Sequence, residues 1–276
     1  MLIIKKSFNF YIKSSFHLGI CVICLYLVNV LKHDIEADYL IITFLFSSTI
    51  IVYNFIKYGY NLQNYSTAKN SVLKMIQFLS FFCGFALIYT LFFLKFYTLL
   101  VGTFLFFICI FYVFPIGNSK LNFRNLSKVK LFLVAFCWSA STVFLPLIEN
   151  GLNNYYFTLI FSFQIFFLVI IYTIPFEIRD LHKDSIELQT IPQIFGIKKS
   201  KNICYYLIIV FSLLSFINSG FGANFLSDVI LSIILFFIVY ITKKNQSKYF
   251  SSFWVESVPI YWLMFCVLLK SKCLLY

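Results

Sequence analysis

Long apolar runs, separated by short clusters of charge, divide the chain into nine segments at about 10–31, 39–58, 72–94, 96–114, 129–148, 155–176, 202–220, 225–242 and 253–269. Each is near the roughly 20 residues that a helix needs to cross about 30 Å of hydrocarbon. The third and fourth nearly fuse, because Lys74 and Lys95 are the only charges between Ser71 and Phe114. One helix of that length would measure about 66 Å, so the pattern predicts two crossings with a tight turn near Lys95. Asn218 with Gly220 interrupts the seventh segment and Glu256 with Pro259 the ninth, which leaves eight or nine spans. The expectation is an all-α, polytopic integral membrane protein: one helical domain over 1–276 with about nine transmembrane helices.

Composition agrees. Hydrophobic residues make up 61% of the 276, charged residues 12%, and the mean hydropathy is +0.91; a soluble domain carries about 45–50% apolar and about 25% charged residues. The net charge of +12, from 22 Lys and Arg against 10 Asp and Glu, fits either a polyanionic partner or membrane topology. Threading the nine segments puts 18 of the 22 basic residues on the side of the N-terminus and only Lys32, Lys95, Lys270 and Lys272 on the other. By the positive-inside rule the chain is multi-pass in a plasma (inner) membrane with its N-terminus cytoplasmic. No contiguous basic soluble module remains to bind nucleic acid. Lys5 and Lys6 precede an apolar stretch without a small-residue cleavage site, so the first segment is expected to be retained as a helix. The eight Cys lie mostly in apolar runs, and Cys21 with Cys24 lacks the second ligand pair of a zinc site.

The longest loops, 54–71, 115–128 and 177–201, fall on the basic, cytoplasmic side. The last reads EIRDLHKDSIELQTIPQIFGIKKSK and holds four of the ten acids within eleven residues. On a helix Glu177, Asp180, Asp184 and Glu187 would share an arc of roughly 80°. Like charges at that spacing repel, which a divalent cation would relieve. Pairing of Arg179 with Asp180 or Asp184, and of Lys183 with Glu187, on a solvated helix is the simpler alternative. His182 points away from the stripe.

The run from Glu177 to Gly196 resembles the second acidic motif of the UbiA family of membrane prenyltransferases: Asp180 and Asp184 form DxxxD, Glu177 precedes them, and Thr190, Ile191, Pro192 and Gly196 follow as TIPxxxG. In that family the motif follows the sixth of nine helices, as it does here. The loop with Tyr112, Pro115, Lys120 and Arg124, and the FCWSAS run after it, are similar to family landmarks at the same places. The resemblance implies Asp180, Asp184 and Glu177 as ligands of Mg²⁺, and Asn54, Lys57, Tyr112, Lys120, Arg124 and Arg179 as contacts to a prenyl diphosphate or other isoprenoid lipid.

One departure limits this. The family's first motif, NDxxDxxxD at the end of helix two, corresponds to Asn54 onward, where Phe55, Tyr58 and Leu62 replace the three carboxylates. Ionising an allylic diphosphate requires neutralising the departing diphosphate and sheltering an allyl cation; with half the acids gone, Lys57 is expected to supply part of the positive charge. Two functions follow: an intramembrane transferase moving an isoprenoid chain from a prenyl diphosphate to an acceptor, or a catalytically inactive or repurposed relative that binds a lipid or a partner protein. His17 and Glu256 are read as interfacial or interhelical polar groups. Transport is disfavoured because the sequence suggests no paired intramembrane charges.

Overall fold

A computed structural model describes residues 2–59, 71–114, 129–151 and 155–273. An N-terminal helix, α1 (Leu2–Lys13), precedes nine helices that are long and apolar enough to span a membrane among these residues: α2 (Phe16–His33), α3 (Tyr39–Gly59), α4 (Ser71–Leu91), α5 (Phe96–Val113), α6 (Val129–Asn150), α7 (Tyr155–Asp180), α8 (Ile191–Ser219), α9 (Ala223–Ile241) and α10 (Phe250–Ser271). The two interrupted segments therefore both form full helices. The protein is an all-α polytopic membrane protein.

Two boundaries differ from the apolar pattern. The first segment does not begin at residue 10, because the chain turns at Ser14 and Ser15, where Ser15 adopts φ 61°. That residue separates the basic helix α1 from the span. The seventh helix begins at Ile191, eleven residues before the apolar run, so the long acidic loop shrinks to the stretch between Asp180 and Ile191. Local chemistry explains the early start. The Thr190 N–H donates to Gln193 Oε1 at 2.9 Å, and Pro192 sits where a helix has no use for an N–H. Gly196 then breaks the helix at φ 76°, a conformation that costs a side-chain-bearing residue about 1–2 kcal/mol.

α7 is the central helix. Its Phe161, Ile165, Leu168, Val169, Ile171 and Ile174 are fully buried among α2, α6, α8 and α9. Pro175 lacks an N–H for the Ile171 carbonyl, and the Cys204 thiol of α8 reaches that oxygen at 3.9 Å. The Phe side chains of α4 and α5, among them Phe78, Phe81, Phe82, Phe104 and Phe106, are exposed. In a membrane that surface faces lipid, which accounts for much of the Phe content.

At the end of the bundle opposite the acidic loop, the expectation of no paired intramembrane charges is wrong. Lys32 Nζ meets Asp228 Oδ2 at 2.5 Å with both side chains buried, and Gln164, Trp262 and Ser227 also donate to the Asp228 carboxylate. The pattern hid this pair because its members lie on helices far apart in sequence. Glu149 receives the backbone N–H of Lys95 at 3.0 Å and the Thr98 hydroxyl at 2.5 Å, which supplies acceptors to the start of α5. The turn between α4 and α5 does fall at Lys95.

Candidate functional site

The acidic motif does not form one helical stripe. α7 ends at Asp180, and the chain turns before a short 3₁₀ segment at Ile186–Leu188, so the acids are brought together by a turn. The Asp184 N–H donates to the Asp180 carbonyl at 2.9 Å, and Gln193 Nε2 donates to the carbonyls of Asp184 at 3.2 Å and Ser185 at 3.1 Å. Gln193 thus ties the acidic turn to the start of α8. This gives the TIPQ sequence a structural job beside any chemical one.

Glu177, Asp180 and Asp184 line a cavity of about 250 Å³, with Glu256 of α10, Lys130 of α6 and the rings of Tyr53, Trp138, Tyr172 and Phe176. Asp180 is engaged within the chain: Arg179 grips both its oxygens, at 2.6 and 3.1 Å, and Lys183 lies at 3.4 Å. Of the two pairings foreseen, Arg179 takes Asp180. Glu177 is only 5% exposed, and its Oε2 has no partner among the described residues. The Lys130 charge and the Ile191 N–H bear on its carboxylate. The Tyr172 hydroxyl, equally buried, has no partner either.

The end of α3 carries no acid to face them. Asn54 accepts from Ser15 Oγ at 3.0 Å and donates to Ser80 Oγ at 2.9 Å, and Lys57 Nζ donates to Ser15 Oγ at 2.9 Å. The Tyr58 hydroxyl donates to the Lys13 carbonyl at 3.0 Å. Phe55 packs on Phe114 and on Gly59, where an added Cβ would lie 2.4 Å from the ring. The residues standing where a first acidic motif would be therefore hold the hinge between α1 and α2. Asn54 is consequently not brought to the acids, whereas Lys57 acts through space on Glu256, as does Arg179.

A second cavity of about 400 Å³ lies between α3, α4, α5 and α6, lined by Leu45, Leu87, Leu105, Cys109 and Tyr112 among others, nearly all apolar. Tyr53, Val134 and Trp138 line both cavities. Trp138 Nε1 donates to the Tyr53 hydroxyl at 2.7 Å, so this pair forms the partition between an acidic mouth and an apolar chamber. Tyr112 borders the chamber and not the acids. Lys120 and Arg124 lie outside the described residues.

Sequence reasoning missed Lys130 and Tyr172 and set Glu256 aside as an interfacial group. Glu256 is drawn inward by the wide π-type turn Phe250–Val255, whose five-residue bond runs from the Glu256 N–H to the Ser251 carbonyl at 3.1 Å. An intramembrane acid was the available signal.

Whether these groups suit Mg²⁺ rests on their chemistry. Among the described residues no three His, Cys, Asp or Glu side chains converge closely enough to hold an ion alone. They are, however, hard oxygen donors, and Glu177 has an orphaned oxygen on the cavity. Mg²⁺ commonly takes one or two carboxylates and completes its shell with water and phosphate oxygens, so the set fits an ion shared with a phosphate ligand.

Helices, acidic turn and apolar chamber together define a polytopic helical bundle in which an acidic mouth lies beside an apolar chamber. No family model and no curated relative matches the sequence. A solved structure described as concerning digeranylgeranylglyceryl phosphate synthase in membranes is similar in fold, with a TM-score of 0.59 and 15% identity over 95% of this chain and 98% of that one. The chain thus shares the fold of that structure, at an identity that speaks for the fold alone.

Proposed function

We propose that the protein is an intramembrane prenyltransferase that takes an isoprenoid diphosphate, with the hydrocarbon in the apolar chamber and the diphosphate at the acidic mouth. The observation that carries this reading is the meeting of the two cavities at Tyr53 and Trp138. A ligand with a long apolar chain and a compact anionic head has the shape and polarity of that pair of spaces. Two of Glu177, Asp184 and Glu256 would hold Mg²⁺ together with phosphate oxygens, and the ion when bound would supply positive charge to the diphosphate. Lys57, Lys130 and Arg179 add cationic contacts, with Arg179 preset by Asp180. The faces of Tyr53, Trp138, Tyr172 and Phe176 screen water from the carbon that loses its diphosphate and can stabilise positive charge there. The chain forms one transmembrane domain, with the acidic mouth and the N-terminus on the cytoplasmic side. The excess of basic residues at that end supports this orientation.

A second reading is a relative that binds an isoprenoid lipid without transferring it. It is favoured by the absence of carboxylates on α3 and by the engagement of Asn54 and Asp180 within the chain. Purified protein in lipid nanodiscs, incubated with Mg²⁺, radiolabelled geranylgeranyl diphosphate and a membrane lipid extract as acceptor source, separates the two. Release of diphosphate with label moving into a new lipid, abolished in Asp184→Asn, supports transfer. Saturable binding with the substrate recovered intact supports the second reading, and no binding at all sinks both.

A further inference from the structure

α3 supplies no carboxylate to the headgroup site, because Asn54, Lys57 and Tyr58 are spent on the hinge between α1 and α2. The cavity nevertheless has an acid outside the α7 turn. Glu256 enters it from α10, at the end of a π-type turn that is firmly supported: the Ser257 hydroxyl bonds to the Phe253 carbonyl at 2.7 Å, His17 lies against both residues, and Phe8 packs edge-on against Phe253. Such support is what a positioned side chain needs. It also comes at a cost, since Glu256 lies beside Leu18, Tyr53 and Trp138 and takes part in none of the ion pairs among the described residues. A carboxylate held rigidly in such surroundings without a bonded cation calls for a ligand. Two independent observations point into the same cavity: Glu177 Oε2 and the Tyr172 hydroxyl are both buried and unpartnered.

We infer that Glu256 forms the second wall of the headgroup site, a carboxylate on α10 that, with Glu177, holds the divalent cation accompanying a diphosphate in place of the acids that α3 lacks. The inference rests on the diphosphate reading above and assigns a role within it. Moving the acid from α3 to α10 ties the site to the packing of α1 on the start of α10. Lys57, held by Ser15, acts on the Glu256 carboxylate through space.

The test uses Mn²⁺ as a paramagnetic probe, titrated into the full chain in nanodiscs with and without geranylgeranyl S-thiolodiphosphate, an unreactive analogue, and read by electron paramagnetic resonance. Wild type is expected to bind Mn²⁺ more tightly with the analogue present. Glu256→Gln should weaken that binding about tenfold or more, as loss of a ligand or of its support does at metal sites. Glu256→Asp should recover most of it, which loss of structure alone would not allow. Thermal unfolding of each variant, followed by intrinsic fluorescence, serves as the folding control; if Glu256→Gln does not fold, the decision passes to Glu256→Asp, whose Mn²⁺ affinity is expected a few-fold below wild type, and an affinity equal to wild type would overturn the role of Glu256. If Glu256→Gln binds like wild type while Glu177→Gln is weakened, the role of Glu256 is overturned and the diphosphate reading stands. If wild type binds no Mn²⁺ in either condition, the diphosphate reading itself falls.

Discussion

At the end of the bundle away from the acidic turn, Asp228 receives donors from Lys32, Gln164, Trp262 and Ser227, whereas at the other end Glu177 keeps an oxygen with no partner among the described residues. Both carboxylates are buried. The first sits in a polar knot joining α2, α7, α9 and α10, where both oxygens of the carboxylate receive donors from the chain. The second lines a cavity and faces another acid. A buried charge with all its bonds made holds helices together, and one with bonds left over is waiting for something from outside the chain. The contrast separates the structural acid from the functional one more sharply than burial does.

The largest effect is expected at the knot. Lys32→Ala leaves Asp228 uncompensated and should cost about 3–5 kcal/mol, seen as a collapse of the thermal transition in detergent. The paired change Lys32→Met with Asp228→Leu should regain much of that loss, because apolar replacement of both partners removes the stranded charge. A Lys32→Ala variant that melts like wild type would erase the comparison. Next comes Gly196→Val, which forces a branched side chain into φ 76° and should cost about 1–3 kcal/mol while loosening the acidic turn that Gln193 ties down. Limited proteolysis between α7 and α8 would read that loosening.

Smaller effects probe the site end. Trp138→Phe removes the bond to Tyr53 at a cost of about 1 kcal/mol in stability, but it opens the partition between mouth and chamber and should therefore change prenyl-chain binding more than melting. Glu177→Gln should not lower stability as Lys32→Ala does, since it keeps an oxygen for the Ile191 N–H and removes a buried charge, while weakening diphosphate binding. If Glu177→Gln instead unfolded the protein as Lys32→Ala does, the two ends would not differ in kind. Least of all, Lys183→Ala should stay within about 0.5 kcal/mol in chemical denaturation, because its 3.4 Å pair with Asp180 is exposed to solvent.

Much of this organisation is legible in the sequence, because crossing a bilayer imposes a length and an apolarity that the chain cannot disguise. Nine apolar runs correspond to nine spans, and the turn at Lys95 falls where charge interrupts them. Three of the four basic residues assigned to the minority side are informative in a way that counting does not reveal: Lys32 pairs with Asp228, Lys270 with Asp34, and Lys95 binds Glu149 through its backbone N–H. The start of α8 was obscured because Gly196 and the basic run Lys198–Lys201 separate its first turns from the apolar stretch, and only the TIPQ chemistry marks it. Glu177, Asp180 and Asp184 were visible as a motif, yet the helix imagined for them ends at Asp180. Glu256 was visible as an intramembrane acid but its destination was not, and Lys130 was out of reach, because both join the site through contacts between helices distant in sequence, which no local spacing encodes.

The central claim is that the mouth holds the head and the chamber holds the chain of one isoprenoid diphosphate. Equilibrium binding of radiolabelled geranylgeranyl S-thiolodiphosphate to the protein in nanodiscs tests it most directly when two variants are measured beside wild type: Glu177→Gln at the mouth and Leu105→Trp, which fills the chamber. Both should weaken binding of the prenyl analogue, while only Glu177→Gln should alter binding of inorganic pyrophosphate. Binding of the prenyl analogue that ignores Leu105→Trp, or ignores both changes, would contradict the account.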